Sequence, residues 1–250
     1  YHKILEQDWS FIDTFFLEEY SLYGIIAQYP KPYISILNGL TLGGGMGLSM
    51  HGHFRITTNQ ASFGMPENKI GFFPDVGAGL FLRRMPGYTG LFAGVTGYIL
   101  NPQEALETGL VSHGILEQDL DAFEESLLTL DFNNRDPFDV VENHISSFQV
   151  SSYDMPSSLR TYKKDVNTFF MLPTIEEVMQ SVEHCTIPWW QDQYQNMAIA
   201  APLSVKNSFA MLKEYYSDSL AHSIQQDLKL SWYFVRHPNF LEGVRAKIHK

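Results

Sequence analysis

Three places in the chain hold residues whose types and spacing can do chemistry. The first is Leu42-Gly43-Gly44-Gly45-Met46-Gly47-Leu48-Ser49, which follows the apolar run Tyr33-Ile34-Ser35-Ile36-Leu37 and the turn pair Asn38-Gly39. Beyond the glycines, 46–51 reads as a short helix. A strand that runs into glycines and then a helix exposes backbone N–H groups: glycine leaves no side chain in the way, and the helix N-terminus adds partial positive charge. Such a site holds an anion, whether a phosphate, a carboxylate or the oxyanion of an acyl transfer. The same glycines also suit plain close packing of backbone. The second place is Glu67, after Pro66 and near Met65, Phe63 and Phe72. A carboxyl in such apolar company has a raised pKa and can serve as base, acid or nucleophile; the other readings are an exposed loop charge or a local helix cap. The third is Asp75 in Pro74-Asp75-Val76-Gly77, either the N-cap of a helix starting near Gly77 or a carboxylate facing a ligand.

Other chemistries find little support. The sequence has no Gly-x-Ser-x-Gly elbow, no phosphate loop ending in Lys-Ser or Lys-Thr, and no His/Cys/Asp/Glu spacing suited to zinc. His51 and His53 are two apart and diverge, and His113 reads as a satisfied core histidine. Met65, Met85, Trp189 and Trp190 read as packing residues. Glu18-Glu19 reads as a solvated acidic pair, with Glu19 placed to lean toward the buried side. Lys31, Lys69, Arg83 and Arg84 form a sparse basic set near the glycine loops, solvated by default but able to meet ligand phosphates.

The chain has 250 residues, 44% of them hydrophobic and 18% charged, an ordinary globular balance. A net charge of -11 disfavours nucleic acid as a partner. The single cysteine, Cys185, cannot form an intramolecular disulfide and reads as an apolar filler in a reducing compartment. No apolar run approaches the length of a membrane span, and no targeting segment is visible. The chain opens at Tyr1 directly into a helical pattern, as a piece with an N-terminal part elsewhere would.

These residues must be positioned by regular elements. Trp9, Ile12, Phe16, Tyr20 and Tyr23 recur at helical spacing, widened by Phe15, Ile26 and Ala27, and predict one amphipathic helix over 7–27 that Pro30 and Pro32 end. Strands are predicted over 33–37, 54–58, 61–64 and 110–115, with helices over 77–84, 88–95 and 101–108. Strands alternating with helices give an α/β core. Beyond it the strand patterns stop, and helical patterns occupy 120–130, 137–148, 157–170, 175–182, 189–200, 202–216, 219–235 and 239–248, separated by prolines. The division falls near residue 117, giving 1–117 as core and 118–250 as helical region, with no internal repeat.

Taken together, Lys31-Pro32, Asn38-Gly39, Leu42-Gly43-Gly44-Gly45, Met65-Pro66-Glu67, the run from Ile70 to Gly77, and Gly109-Leu110-Val111 resemble the enoyl-CoA hydratase/isomerase, or crotonase, superfamily in order and spacing. Phe15 to Tyr20, Phe72-Phe73-Pro74-Asp75 and Glu242-Gly243-Val244-Arg245-Ala246 resemble its 3-hydroxyisobutyryl-CoA hydrolases. The resemblance implies a ββα-spiral core with a helical C-terminal region. It also implies an acyl-CoA thioester whose carbonyl lies between two backbone N–H donors. Gly44 matches one donor; the other lies, in the family, in an Ala/Cys-Gly-Gly-Asp loop that nothing in this chain matches, so the first strands are expected to be missing. Hydratases carry a glutamate where this chain has Gly47, and glycine where it has Asp75. That pattern implies thioester hydrolysis, with Glu67 as nucleophile or base, Asp75 orienting the substrate hydroxyl or the water, and Glu19 lining the acyl pocket. The implied role is valine catabolism, with coenzyme A only as part of the substrate, no metal or redox cofactor, no membrane partner and a homo-oligomer as an option. The compartment would be the cytoplasm in a bacterium or the mitochondrial matrix in a eukaryote. The alternatives are an enoyl-CoA hydratase or isomerase, and a non-catalytic crotonase-fold assembly subunit of the mitochondrial-ribosome kind.

Overall fold

A computed structural model describes residues 2–215 and 219–248; Tyr1 and Tyr216, the ends of two expected helical runs, lie outside them. A short helix, α1 (His2–Leu5), leads into α2 (Trp9–Ala27). Helix α2 begins two residues later than its periodicity suggests. Gln7 has a φ of 55°, outside the helical region, and the Asp8 side chain accepts from the Phe11 amide as N-cap. Its buried stripe is Ile12, Phe16, Tyr20, Tyr23 and Ile26. Phe15, expected to widen that stripe, is instead 50% exposed.

The next segment repeats a strand–strand–helix unit. Strands β1 (Ile34–Leu37) and β2 (Leu40–Leu42) precede α3 (Gly44–Met50); β3 (Phe54–Thr57) and β4 (Ser62–Gly64) precede a 3₁₀ turn, Glu67–Ile70, and α4 (Ala78–Arg83). The first strand of each unit enters one parallel sheet, where Ile34 faces Phe54 and Ile36 faces Ile56; the second enters another, where Thr41 faces Phe63. This alternation is the expected spiral. The short strand β2, between Gly39 and Gly43, was hidden in the glycine-rich run. Helices α5 (Thr89–Thr96) and α6 (Pro102–Glu107) follow, the latter with a complete Asn101/Glu104 capping box. The strand expected over 110–115 contracts to β5 (His113–Gly114), paired with β3. The Leu110 and Val111 amides turn back to the Ala105 carbonyl and cannot join the sheet.

Beyond β5 the described residues form helices: α7 (Leu120–Leu127), α8 (Pro137–Phe148), α9 (Ser158–Thr161), α10 (Lys163–Phe170), α11 (Ile175–Glu183), α12 (Pro188–Ala198), α13 (Pro202–Ala210) with a π-helical turn Met211–Tyr215, α14 (Leu220–Phe234) and α15 (Pro238–Ile248). The helix expected over 157–170 divides at Tyr162, whose ψ of 16° interrupts it. Proline at the first helical position starts α8, α12 and α13, where its missing N–H costs nothing. The main apolar cluster joins Tyr20, Phe73 and Phe92 to Val178, Trp190 and Phe234, and so crosses residue 117. Cys185 is half-buried against it. Among the described residues no helix is long and apolar enough to cross a membrane.

One buried side chain ties the layers together. Asn68, in the 3₁₀ turn, donates to the Gly94 and Val95 carbonyls of α5 and accepts from the Ser208 hydroxyl of α13, while its own carbonyl accepts from the Ala201 amide. Asn68→Ala would leave those buried carbonyls unpaired and is expected to lower unfolding free energy by about 2–3 kcal/mol in urea titrations. A loss below about 0.5 kcal/mol would mean that the turn is held by packing alone.

Candidate active site

Gly44 opens α3, so its N–H has no acceptor within the helix. The residue is exposed, and its amide is available to a ligand. Before it, Gly43 has a φ of 51°, and a Cβ there would stand 2.5 Å from the Glu67 Oε1 atom. Only glycine permits both the conformation and that approach. The glycine cluster and Glu67 are thereby brought into one place. Glu67 is only 9% exposed, so it is neither a surface charge nor a side-chain cap. Its Oε2 atom is buried with no hydrogen-bond partner.

Asp75 is 7% exposed and does not cap α4. The N-cap is Gly77, and it is the backbone carbonyl of Asp75 that accepts from the Ala78 amide. The Asp75 carboxyl instead accepts from the Tyr20 hydroxyl of α2 at 2.7 Å. The turn after it is unusual: Val76 at φ 54° and Gly77 at φ 77° are consecutive left-handed residues. For a β-branched side chain this costs about 1–2 kcal/mol. Two long-range bonds hold it, from His51 Nε2 to the Val76 carbonyl at 2.7 Å and from the Gly77 amide to Asp227 Oδ2 on α14 at 2.7 Å.

Glu19, half-buried on α2, reaches the same place: its Oε1 atom would lie 3.5 Å from a Cβ on Gly44, and it accepts from the Tyr23 hydroxyl at 2.7 Å. Gly47 is closed off. A Cβ there would stand 2.6 Å from the Tyr23 ring and 2.7 Å from Val76 Cβ, so no longer side chain fits at that position.

Electrostatics follow from burial. Among the described residues neither Glu67 nor Asp75 has a salt-bridge partner. Burial holds the Glu67 carboxyl far above the usual range, and the neighbouring Asp75 charge adds to this. Burial also pushes Asp75 up to about 7, with the Tyr20 hydrogen bond pulling down and Glu19 pushing up. Glu19 is raised by burial against the pull of Tyr23. Burial lowers His51, which favours the neutral ring. Of the basic set, Lys31, Arg83 and Arg84 are exposed, and Lys69 lies half-buried beside the Glu67 turn. Among the described residues no three His, Cys, Asp or Glu side chains are grouped to hold a metal ion.

Tyr20, Tyr23, His51 and Asp227 went unassigned as site residues. The two tyrosines were legible only as members of an apolar stripe. Asp227 had a faint signal, since Ser223, Asp227 and Ser231 form a buried polar row at helical spacing on α14.

A family model described as enoyl-CoA hydratase/isomerase matches residues 1–250. The chain is 35% identical to the mitochondrial 3-hydroxyisobutyryl-CoA hydrolase of Xenopus laevis, over 93% of this chain and 60% of that protein. The figures for the Homo sapiens protein of that name are 34%, 93% and 60%. The chain thus spans about 60% of the length of the curated relatives it matches. Among solved structures it resembles an enoyl-CoA hydratase from Rhodobacter sphaeroides (TM-score 0.85, 25% identity, 99% of this chain and 69% of that one). It also resembles a carnitinyl-CoA dehydratase from Mycobacterium thermoresistibile (TM-score 0.86, 26% identity, 99% and 70%). The α/β fold expected from the sequence is the fold of these structures.

Burial of these carboxyls sets a stability profile. The folded protein keeps the Asp75 proton up to about pH 7, whereas a free carboxyl releases it near 3.8. The folded state therefore binds more protons between those values. This contribution is complete below the lower value and is lost as pH rises to the upper one, by about 1.4 kcal/mol per pH unit. Asp75→Asn is expected to flatten this decline in denaturant titrations from pH 4 to 8. A variant whose slope equals that of the wild type would show that Asp75 is ionised throughout.

Proposed function

The chain belongs to the enoyl-CoA hydratase/isomerase family, and from that premise we propose that the full-length protein hydrolyses a short branched hydroxyacyl-CoA thioester, 3-hydroxyisobutyryl-CoA being the substrate best supported by the relatives' names. One observation carries the reading: the buried Glu67 carboxyl, with an unpartnered oxygen, lies against Gly43, one residue from the free Gly44 N–H. In this reading the Gly44 N–H polarises the thioester carbonyl, and a second amide from outside these 250 residues completes the oxyanion site. Glu67 either attacks the carbonyl carbon to form an anhydride that water then cleaves, or takes the proton of an attacking water. In both routes the carbon–sulfur bond breaks, the acyl group leaves as the acid, and coenzyme A leaves as its thiol with a proton from that water. Asp75 orients the substrate hydroxyl or the water, and Glu19 lines the acyl pocket. Coenzyme A enters only as part of the substrate, and no metal or redox cofactor takes part. The reaction belongs to valine catabolism, in the mitochondrial matrix for a eukaryotic source or the cytoplasm for a bacterial one, with self-association an open extension of the same proposal.

Two alternatives have less support. Hydration would call for a second carboxylate at Gly47, where Tyr23 and Val76 leave no room. A non-catalytic assembly subunit would have no use for Glu67, since a buried, unpartnered carboxyl oxygen only destabilises a scaffold.

The test uses the full-length protein with 3-hydroxyisobutyryl-CoA and isobutyryl-CoA, following free coenzyme A. Glu67→Gln is expected to lower kcat at least ~10²-fold with KM nearly unchanged. Asp75→Asn is expected to penalise the hydroxylated thioester more than isobutyryl-CoA, which lacks the hydroxyl. Equal penalties would move Asp75 from the hydroxyl to the water or the turn. Wild-type turnover in Glu67→Gln would overturn the mechanism and favour the assembly subunit.

A further inference from the structure

Asp227 lies 150 residues from Gly77 in sequence, yet its Oδ2 atom accepts the Gly77 amide at 2.7 Å. The side chain is 0% exposed, in the middle of α14 where that helix packs on α2. Leu220, one helical stretch earlier, closes on the same glycine: its Cδ1 would be 2.8 Å from a Cβ there. A carboxylate so fully buried is costly to desolvate and must be held by fixed partners. It holds the Gly77 amide, at the second of two left-handed residues directly after Asp75. Strain of this kind persists only where surrounding groups over-determine it. Here His51 fixes the Val76 carbonyl, Asp227 fixes the Gly77 amide, and Tyr20 fixes the Asp75 carboxyl.

We propose that Asp227 is a positioning residue for the reaction: through the Gly77 amide it holds the Val76–Gly77 turn and so sets where the Asp75 carboxyl stands. Asp227 does not touch the acyl group; it acts through Asp75. The catalytic half of this inference rests on the hydrolase reading above, while the clamp on Gly77 stands or falls separately.

The experiment compares Asp227→Ala, Asp227→Asn, Asp75→Asn and the double variant Asp227→Ala/Asp75→Asn in the full-length protein, with two readouts. Amide exchange at Gly77 is followed by NMR, and turnover is measured on 3-hydroxyisobutyryl-CoA. Asp227→Ala is expected to speed Gly77 exchange at least ~10-fold, whereas Asp227→Asn, which keeps an acceptor oxygen, stays within about threefold of wild type. The alanine variant should lower kcat/KM roughly 10-fold or more, because small displacements of a reacting group are costly, and asparagine should restore most of it. In the Asp75→Asn background the alanine change should add less than about threefold, since its effect passes through Asp75. An equal loss in both backgrounds would make Asp227 merely structural and overturn the proposal. Unchanged Gly77 exchange in Asp227→Ala would overturn the clamp whatever the turnover shows. If the wild type releases no coenzyme A, the hydrolase reading fails and takes the catalytic half with it, while Gly77 exchange still decides the clamp. Should Asp227→Ala fail to fold, Asp227→Ser, too short to reach the amide, replaces it with the same outcomes.

Discussion

Two carboxyls, Glu67 and Asp75, are taken out of water near one another with no cation paired to either among the described residues. Desolvation of this kind is among the costliest things a fold can carry, and it is tolerable only when the groups hold protons or find fixed hydrogen bonds. Much of the surrounding structure makes sense as support for that arrangement. Asp75 has Tyr20 from α2, and its turn has His51 and Asp227. Glu67 stands on a 3₁₀ turn anchored by Asn68 to α5 and α13 and covered by α15, which presses Gly243 against Ile70. The helical region that follows residue 117 is thus the scaffold behind both carboxyls.

The glycines set the other side of the site. At Gly43 the missing side chain lets the Glu67 carboxyl come within reach of the exposed start of α3. At Gly47 the space is already taken, because the Tyr23 ring lies over it and the Tyr23 hydroxyl holds Glu19. One tyrosine therefore removes one position for a carboxylate and fixes another. Which carboxylates stand near the exposed start of α3 is decided by this packing.

Much of this was legible in the sequence, for physical reasons. The glycine cluster after an apolar run marks a strand–helix junction wherever it occurs, and apolar neighbours of Glu67 already pointed to burial. The prolines set the starts of the C-terminal helices within a few residues. Other features depend on contacts that local pattern does not encode. Strand β2 is too short to show alternation, and the run at 110–115 lost most of its strand to a turn on the Ala105 carbonyl. Asp75 carried the local signature of an N-cap, but a tyrosine 55 residues away claims its carboxyl. The hydroxyls of Tyr20 and Tyr23 were masked by the apolar bulk of their rings, and the Asp227–Gly77 contact spans 150 residues.

The measurement that bears most directly on the two buried carboxyls is a ¹³C NMR titration of the full-length protein labelled at the aspartate and glutamate carboxyl carbons, with Asp75→Asn and Glu67→Gln to assign the two signals. The Asp75 signal is expected to titrate with a midpoint near 7 and the Glu67 signal well above the ordinary glutamate range. Both signals titrating near 4, the ordinary carboxylate range, would contradict this, because the two groups would then be ionised and solvated rather than buried beside Gly43 and Tyr20.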